Sequence, residues 1–576
     1  MESIGPFRYE RHIPSLPALD ARRDAKKHQV AICGGGPVGL ATALGLARYG
    51  VPSVVIEADD TVCMGSRAAC ISRRSLQILE RLGVLAAVMN KGLAWTSGRS
   101  FYRQTEVFRF DMPHDDTQKL PPMVNLQQYY IEQFLVDEIR ANYADLIDIR
   151  WGSSVTALTT AAHGVTLRVE SSAGAYELDA AWLVACDGGQ SFVRKRLGLP
   201  LAGAAYEGKY VIVDIELRSA EPAERRAWFD PPSNPGWTML LHKQPDDLWR
   251  IDYQVPDDTD IDAAITPEAV APYVQRQLEL IGQAHLPWKL VWTSAYRAGA
   301  MSLEKYRHGR ILFAGNAAHA MPIFGVRGLN SGFDDADNLA WKLAAVVQGW
   351  GGDALLDSYS VERVHAFHVN AESAKRSTEF MAPPSRGYSL MREAALSLAE
   401  QHREIAKLVN PRQTSAIDYV GSPLSSGTGL PNAPRVGQVI PEVPVSGSRG
   451  ETFLSDALGP HFTVLAFGRG HDDLPLLADT ESSPVSVVQM LFDDQAGSDA
   501  SQPAWHGANT LIDCAGTLAS RHGAIDADVW LVRPDGHLCA AWNRPSLATM
   551  RAALRQASGR ATDFHQTASE DHHVDA

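Results

Sequence analysis

The stretch from His28 to Ala58 constrains this chain more than any other. HQVAIC is a short apolar run suited to a buried parallel strand. It leads into Gly34-x-Gly36-x-x-Gly39, after which Pro37 opens and Gly50 closes a helical stretch, the expected asymmetry. VPSVVIEA then forms a second buried strand that ends in Glu57 and Ala58. Glycines at this spacing permit a tight turn and let the backbone approach a pyrophosphate. The helix N-terminus offers free N–H donors and the positive end of its dipole. An acid about 20 residues on can accept hydrogen bonds from ribose hydroxyls. A lone G-x-G-x-x-G is weak, but strand, turn, helix, strand and acid in this order predict a dinucleotide site. The residues alone do not choose FAD over NAD. Val30 to Ala47 carries no charge and is near the length of a membrane span. Gly34-Gly35-Gly36-Pro37 divides it, so a buried β-α unit is expected and no membrane association.

The chain has 576 residues, enough for about three to five domains at roughly 100–200 residues each. With 53 Lys+Arg against 67 Asp+Glu, the net charge of −14 argues against a nucleic-acid partner. Six scattered cysteines make no C-x-x-C and no Cys/His metal spacing. A reducing, cytoplasmic setting without a metal site is expected. The first residues show no signal-peptide architecture.

Two further motifs follow in order. Leu183-Val184-Ala185-Cys186-Asp187-Gly188 runs on through Ser191 and Arg194 to Arg196-Leu197-Gly198. Gly309-Arg310-Ile311-Leu312-Phe313-Ala314-Gly315-Asn316-Ala317-Ala318-His319 continues to Pro322 and Gly328-Leu329-Asn330. With the first glycine motif these resemble the class A flavoprotein aromatic hydroxylases, the family of para-hydroxybenzoate, phenol and 3-(3-hydroxyphenyl)propionate hydroxylases. The resemblance covers about residues 29–400. A C-terminal segment with Asp513 and Leu531-Val532-Arg533-Pro534-Asp535-Gly536 resembles the thioredoxin-like domain of the phenol hydroxylase branch.

The fold this implies is α/β. It has a Rossmann-like FAD-binding domain with an inserted, mostly antiparallel β substrate domain, and a C-terminal thioredoxin-like α/β domain. The expected boundaries are an N-terminal extension (1–28), the first part of the FAD domain (29–205, with a substrate-domain segment at about 92–126) and a substrate-binding sheet (206–300). The second, helical part of the FAD domain (301–410), a Pro/Gly/Ser-rich linker (411–450), the thioredoxin-like domain (451–561) and a disordered tail (562–576) follow.

The resemblance also implies roles. Gly34, Gly36, Pro37, Val38, Gly39, Glu57 and Ala58 would hold the ADP half of FAD; Arg67 and Gln128 match positions at its middle. Asp187 and Gly188 match a motif that binds FAD near the NADH or NADPH path. Gly315 and Asn316 stand where the family has Gly-Asp, so a charge is lost while an amide still donates and accepts. Pro322 follows, and amides of Gly328, Leu329 and Asn330 at a helix start would face the flavin pyrimidine edge. Arg327 stands where the family commonly has Gln, either beside the flavin or substrate or as a solvated loop residue.

The implied reaction is hydroxylation of a phenolic or other electron-rich aromatic. NAD(P)H reduces FAD, dioxygen adds at the flavin 4a position, and the hydroperoxide passes one oxygen to the ring. A homodimer is expected. Alternatives on the same fold are a reductase, an oxidative decarboxylase or a halogenase, though no two tryptophans stand two apart as a halogenase W-x-W requires. The base does not declare itself: Ala69 stands where some phenol hydroxylases carry Asp. His242, Arg250, Tyr253 and Tyr296 are the catalytic candidates, with Asp252 and Arg297 beside them.

Overall fold

In the computed structural model, residues 3–115, 117–322, 325–407, 416–427, 429–448, 450–469, 474, 477, 483–492 and 509–561 are described. The expected tail (562–576) and residues 411–415, 428 and 449 of the expected linker lie outside them. The chain divides into two units. The first takes in residues 1–114, 120–337 and 367–415, the second residues 115–119, 338–366 and 416–576.

Besides a three-stranded sheet of Cys70–Ser72, Met123–Asn125 and Leu93–Trp95 and a two-stranded one of Ser3–Ile4 and Phe7–Arg8, the first unit is built on two large sheets. One has a parallel centre in which Ile147–Arg150, Ser53–Ile56, His28–Cys33 and the end of Gly174–Ala185 lie side by side. Ile311–Phe313 adds in parallel beyond the last of these. Ser53–Ile56, Val30–Cys33 and Ile311–Phe313 are buried throughout, as a parallel sheet covered on both faces requires, while the outer strand Ile147–Arg150 is partly exposed. Helix Pro37–Ala47 is also buried almost all round, which explains its uncharged sequence. Gly164–Ser171 and Ser153–Ala161 extend the long strand Gly174–Ala185 as an antiparallel meander.

The second sheet has eight strands. Its order is Thr105–Asp111, Ser97–Tyr102, Arg225–Phe229, Thr238–Lys243, Leu248–Val255, Ala202–Leu217, Trp288–Ser302 and His319–Ala320. All neighbours are antiparallel except Arg225–Phe229 with Ser97–Tyr102. Alternation gives this sheet two unlike faces. Val211, Val213, Ile215, Met239, Leu241, Trp249, Ile251 and Tyr253 form one, an apolar layer packed on Val270, Val274 and Leu278 of helix Pro267–Leu280. The residues between them carry the charges described below.

The amphipathic pattern from Asn330 to Gln348 corresponds to the helix Gly328–Gln348, but the face opposite its apolar stripe is not solvated. Asp335, Asn338 and Lys342 are each at most 1% exposed. In the second unit, Lys342 Nζ lies 2.7 Å from Glu362, and Asn338 donates to the same carboxylate at 2.7 Å. Arg533 pairs with Glu362 and with Asp535. Pro534-Asp535-Gly536 therefore turns between Asp528–Val532 and Leu538–Asn543 inside the protein, with Asp535 1% exposed. Burial pushes the Glu362 carboxyl up, but Arg533 and Lys342 outweigh it and hold the group far below the usual range.

This unit's sheet runs Gly450–Phe453, Pro444–Gly447, Asn509–Asp513, Val485–Phe492, Phe462–Phe467, Asp528–Val532 and Leu538–Asn543. Its middle three strands are parallel. Among the described residues no helix is long and apolar enough to cross a membrane.

Removing Glu362 would leave two buried cations facing each other. Glu362→Ala is expected to destabilise the C-terminal unit by about 3–5 kcal/mol. Hydrogen–deuterium exchange of Asp528–Val532 and Leu538–Asn543 measures this, and an unchanged protection pattern would contradict it.

Candidate active site

Three turns meet at the C-terminal ends of neighbouring parallel strands, where ligands bind in open α/β sheets. Gly34 makes the first possible. Its φ is +103°, and a Cβ there would stand 2.4 Å from the Cys186 carbonyl oxygen. A Cβ on Gly39 would stand 2.0 Å from the Gly34 carbonyl oxygen. These two glycines serve packing: the first strand touches the Asp187 loop, and the helix closes onto the turn. Gly36, Gly188 and Gly328 differ, because a Cβ built on any of them meets nothing within 4 Å. All three border one cavity of about 1410 Å³.

The cavity collects the residues expected at a cofactor. Gly34, Gly36, Pro37, Val38, Glu57, Ala58, Arg67, Gln128, Asp187, Gly188, Gly315, Asn316, Pro322, Gly328, Leu329 and Asn330 all line it; Gly39 lies behind the turn. Glu57 accepts from the Gly35 amide at 2.5 Å and the Asp59 amide at 2.8 Å, while burial pushes its carboxyl up. Asp187 accepts from the Val193 amide at 3.0 Å through Oδ2, and its Oδ1 is buried with no partner. An acceptor left open on a cavity wall suits a ligand hydroxyl. The open glycines, the free amides at the start of Pro37–Ala47 and this orphan oxygen fit a dinucleotide.

Two departures acquire physical settings. Beside Asn316, the buried Asp335 accepts from the Gly315 amide at 2.9 Å and lies 2.6 Å from His319 Nε2. A carboxylate thus stands behind this turn, supplied from the helix. Arg327 is not a solvated loop residue. It is 2% exposed and donates to Ser373 Oγ at 2.8 Å. Burial, with Arg225 nearby, pushes it down to about 10. Asn330 uses its side chain to hold Ser72 N, Cys70 O and Val326 O, fixing the loop that approaches the cavity.

The far wall of the cavity is the charged face of the eight-stranded sheet. Cross-strand register sets Arg225, His242, Arg250 and Asp214 in one row over four adjacent strands. Leu240, Asp252 and Ile212 form the next row. Arg250 is committed: Nε lies 3.3 Å from Asp214, and the guanidinium donates to Ser66 Oγ at 2.9 Å and Arg67 O at 3.1 Å. It ties the sheet to the loop carrying Arg67. Asp252 is 3.9 Å from Arg250 Nε, and its Oδ1 accepts no hydrogen bond. Burial pushes it up to about 6, against the pull of Arg250. His242 is buried instead of solvent-facing, and burial with Arg225 and Arg250 keeps its imidazole neutral. Tyr296 also lines the cavity, donates to Met321 O and is pushed up to about 12 by burial.

Tyr253 does not reach this wall. One residue from Asp252, it points through the sheet and stacks on Tyr273 with centroids 4.2 Å apart. Arg225, Trp95, Cys70 and Trp292 line the cavity without having been singled out in the sequence. The Arg225-Arg226 pair carried a usable signal, since alternation must send one of two adjacent strand arginines to each face.

Comparison with known proteins agrees with this geometry. Residues 27–373 match the FAD binding domain family, and residues 437–557 match the HcaD C-terminal domain. The chain belongs to the FAD binding domain family. It is 28% identical over 521 residues to the 3-(3-hydroxy-phenyl)propionate/3-hydroxycinnamic acid hydroxylase of Escherichia coli K12, covering 89% of this chain and 91% of that protein. The anhydrotetracycline hydroxylase OxyS of Streptomyces rimosus is 25% identical with a TM-score of 0.66, over 93% of this chain and 99% of its own. The flavin-dependent monooxygenase PieE, solved with FAD and substrate, shares the fold with a TM-score of 0.73 at 22% identity, over 92% of this chain and 100% of its own.

The two kinds of glycine separate folding from binding. Gly36→Val is expected to leave circular dichroism near wild type while the purified protein loses its flavin. Gly34→Ala is expected to abolish soluble folded protein, since both φ and the Cys186 carbonyl oppose it. Flavin absorbance per chain, read beside the dichroism spectrum, checks both. Full flavin in Gly36→Val would contradict the assignment of that open edge.

Proposed function

We propose that the glycine turn Gly34–Val38, Glu57, Ala58, Arg67, Gln128, Asp187, Gly188, Gly315, Asn316, Pro322 and Gly328–Asn330 hold FAD, and that the charged sheet face receives a phenolic or other electron-rich aromatic. The observation that carries this reading is the continuity of one cavity from the glycine turn to Asp252. At about 1410 Å³ it exceeds the roughly 300–1,000 Å³ of a single-ligand pocket, so it has room for a dinucleotide and a small ring together. Bound FAD supplies the redox chemistry that couples NADH or NADPH and dioxygen to insertion of one oxygen into the ring.

The chain's own residues do the rest. Trp95, Cys70, Leu240 and Ile212 make apolar walls that exclude water from the reacting ring. The start of Gly328–Gln348 presents backbone N–H groups toward the cavity, where they stabilise negative charge. Asp252, unsatisfied at Oδ1 and set among Arg250, Asp214 and Arg225, accepts the proton of a phenolic hydroxyl. Tyr296 and Arg250 are positioning groups here, each already committed to another partner. His242 stays neutral in this setting. The reading extends to a cytoplasmic homodimer and to a thioredoxin-like C-terminal domain without dithiol chemistry. The only cysteines of that domain, Cys514 and Cys539, make no C-x-x-C.

A panel of hydroxybenzoates, phenols and hydroxyphenylpropanoates with NADH or NADPH tests the reading. One aromatic is expected to stimulate nicotinamide oxidation and to leave with added oxygen by mass. Oxidation that never yields an oxygenated product would sink it. With that aromatic, kcat/KM is expected to rise with pH through about 6, because only ionised Asp252 accepts the proton. Asp252→Asn is expected to remove this limb and slow turnover about 10²-fold. An unchanged pH profile in the variant would remove Asp252 from the mechanism.

A further inference from the structure

Arg225 is the charge on the cavity wall that nothing else in the site uses. It is 5% exposed and lines the cavity. Its NH1 is buried with no hydrogen-bond partner, and among the described residues no carboxylate lies within ion-pair distance of it. The neighbouring arginines show that this is not a shortage of acids. Arg226, next in sequence and turned to the other face, is paired with Glu224 and Glu221, and Arg99 takes Glu224 as well. Arg250, two strands away in the same row, has Asp214.

The surroundings of Arg225 leave its charge without a hydrogen-bonded counter-ion. Its row neighbour His242 has a buried Nδ1 with no partner and stays neutral. Arg327 is close enough for the two guanidinium groups to repel. A buried charge without a counter-ion is costly and persists where function requires it. The wall beside it is apolar: Cys70, Trp95 and Met123 form one cluster, with Phe110 and Met112 against it. A planar guanidinium with open donors matches a carboxylate through two parallel hydrogen bonds. An apolar slot with this anchor at one side suits an aromatic ring that carries a carboxylate.

We propose that Arg225 is the specificity-determining residue for substrate. It anchors the carboxylate of an aromatic acid, with His242 Nδ1–H as a second donor, and so selects acids over neutral phenols. This rests on the aromatic hydroxylase reading above and narrows it. Register also indicates the acid's length. Arg225 and Asp252 lie two strands and one row apart, so their backbones are separated by roughly 10 Å across the strands and 7 Å along them. With the two side chains reaching inward, the span suits a hydroxyphenyl ring with its carboxylate on a short chain better than a benzoate.

Binding to the oxidised holoenzyme tests this without turnover. Flavin difference spectra would be titrated with hydroxybenzoate, hydroxyphenylacetate, 3-hydroxyphenylpropanoate and hydroxycinnamate, each beside its primary amide. For the best acid, the wild type is expected to bind acid at least about 10²-fold tighter than amide, the range of a lost charge-assisted pair. Arg225→Met is expected to bring the acid's affinity to that of the amide while leaving the amide's within a few-fold. Arg225→Lys is expected to recover part of the preference. Wild-type enzyme that binds acid and amide alike, or binds none of the acids, overturns the proposal whether or not either variant folds. So does an Arg225→Met holoenzyme that still prefers the acid. Tight, acid-selective binding followed by no oxygenated product would instead fault the hydroxylase reading and leave the anchor standing.

Discussion

The close approach of Gly34 to the Cys186 carbonyl is the contact on which the rest of the site depends. A side chain at position 34 would stand 2.4 Å from that oxygen. Because there is none, Ala31–Cys33 pairs in parallel with Leu183–Ala185 up to the point where both strands turn. Leu183–Ala185 pairs in turn with Ile311–Phe313. Three turns distant in sequence, at Gly34, Asp187 and Gly315, are thereby placed on one edge of one sheet. Helix Pro37–Ala47 closes on this edge through Gly39, with its free amides toward the cavity. The shape of this edge is therefore set by backbone packing more than by any single side chain.

The opposite wall obeys a different rule. Strict alternation in the eight-stranded sheet sends Tyr253 and Ile251 into an apolar layer and Arg250 and Asp252 into the cavity. The second sheet can thus be stable on one face and chemically committed on the other. Arg250 ties the second sheet to the loop carrying Ser66 and Arg67, donating to both while it pairs with Asp214 within the sheet. Its position links the loop carrying Arg67 to the charged wall of the cavity.

How much of this was legible in the sequence follows from the range of each interaction. The β-α-β unit, the Asp187 loop and the Gly315 turn are local patterns, and every cofactor position read from them except Gly39 lies on the cavity. Gly39 lies behind the turn because its missing side chain is used in packing. Cross-strand rows need register, which no local pattern carries. This hid Arg225 and left Asp252, Tyr253 and His242 as undivided candidates. Alternation alone would have separated Tyr253 from its neighbours once Asp252 was placed inward. Charges were the hardest to read. Arg327 and His242 look like surface residues in sequence and are buried, and Glu362, Arg533 and Lys342 form a buried ion cluster drawn from distant segments. Beside Asn316, the buried carboxylate of Asp335, nineteen positions later, accepts from the Gly315 amide at 2.9 Å, a contact that no local pattern announces.

The central claim is that this cavity couples a flavin to oxygen insertion into an aromatic ring. Isotope tracing tests it most directly: turnover under ¹⁸O₂ in ordinary water, with product mass and nicotinamide consumption measured together. One ¹⁸O atom is expected in the ring for each nicotinamide oxidised when coupling is complete. Oxygen drawn from water, or an unlabelled product formed at full rate, would contradict it.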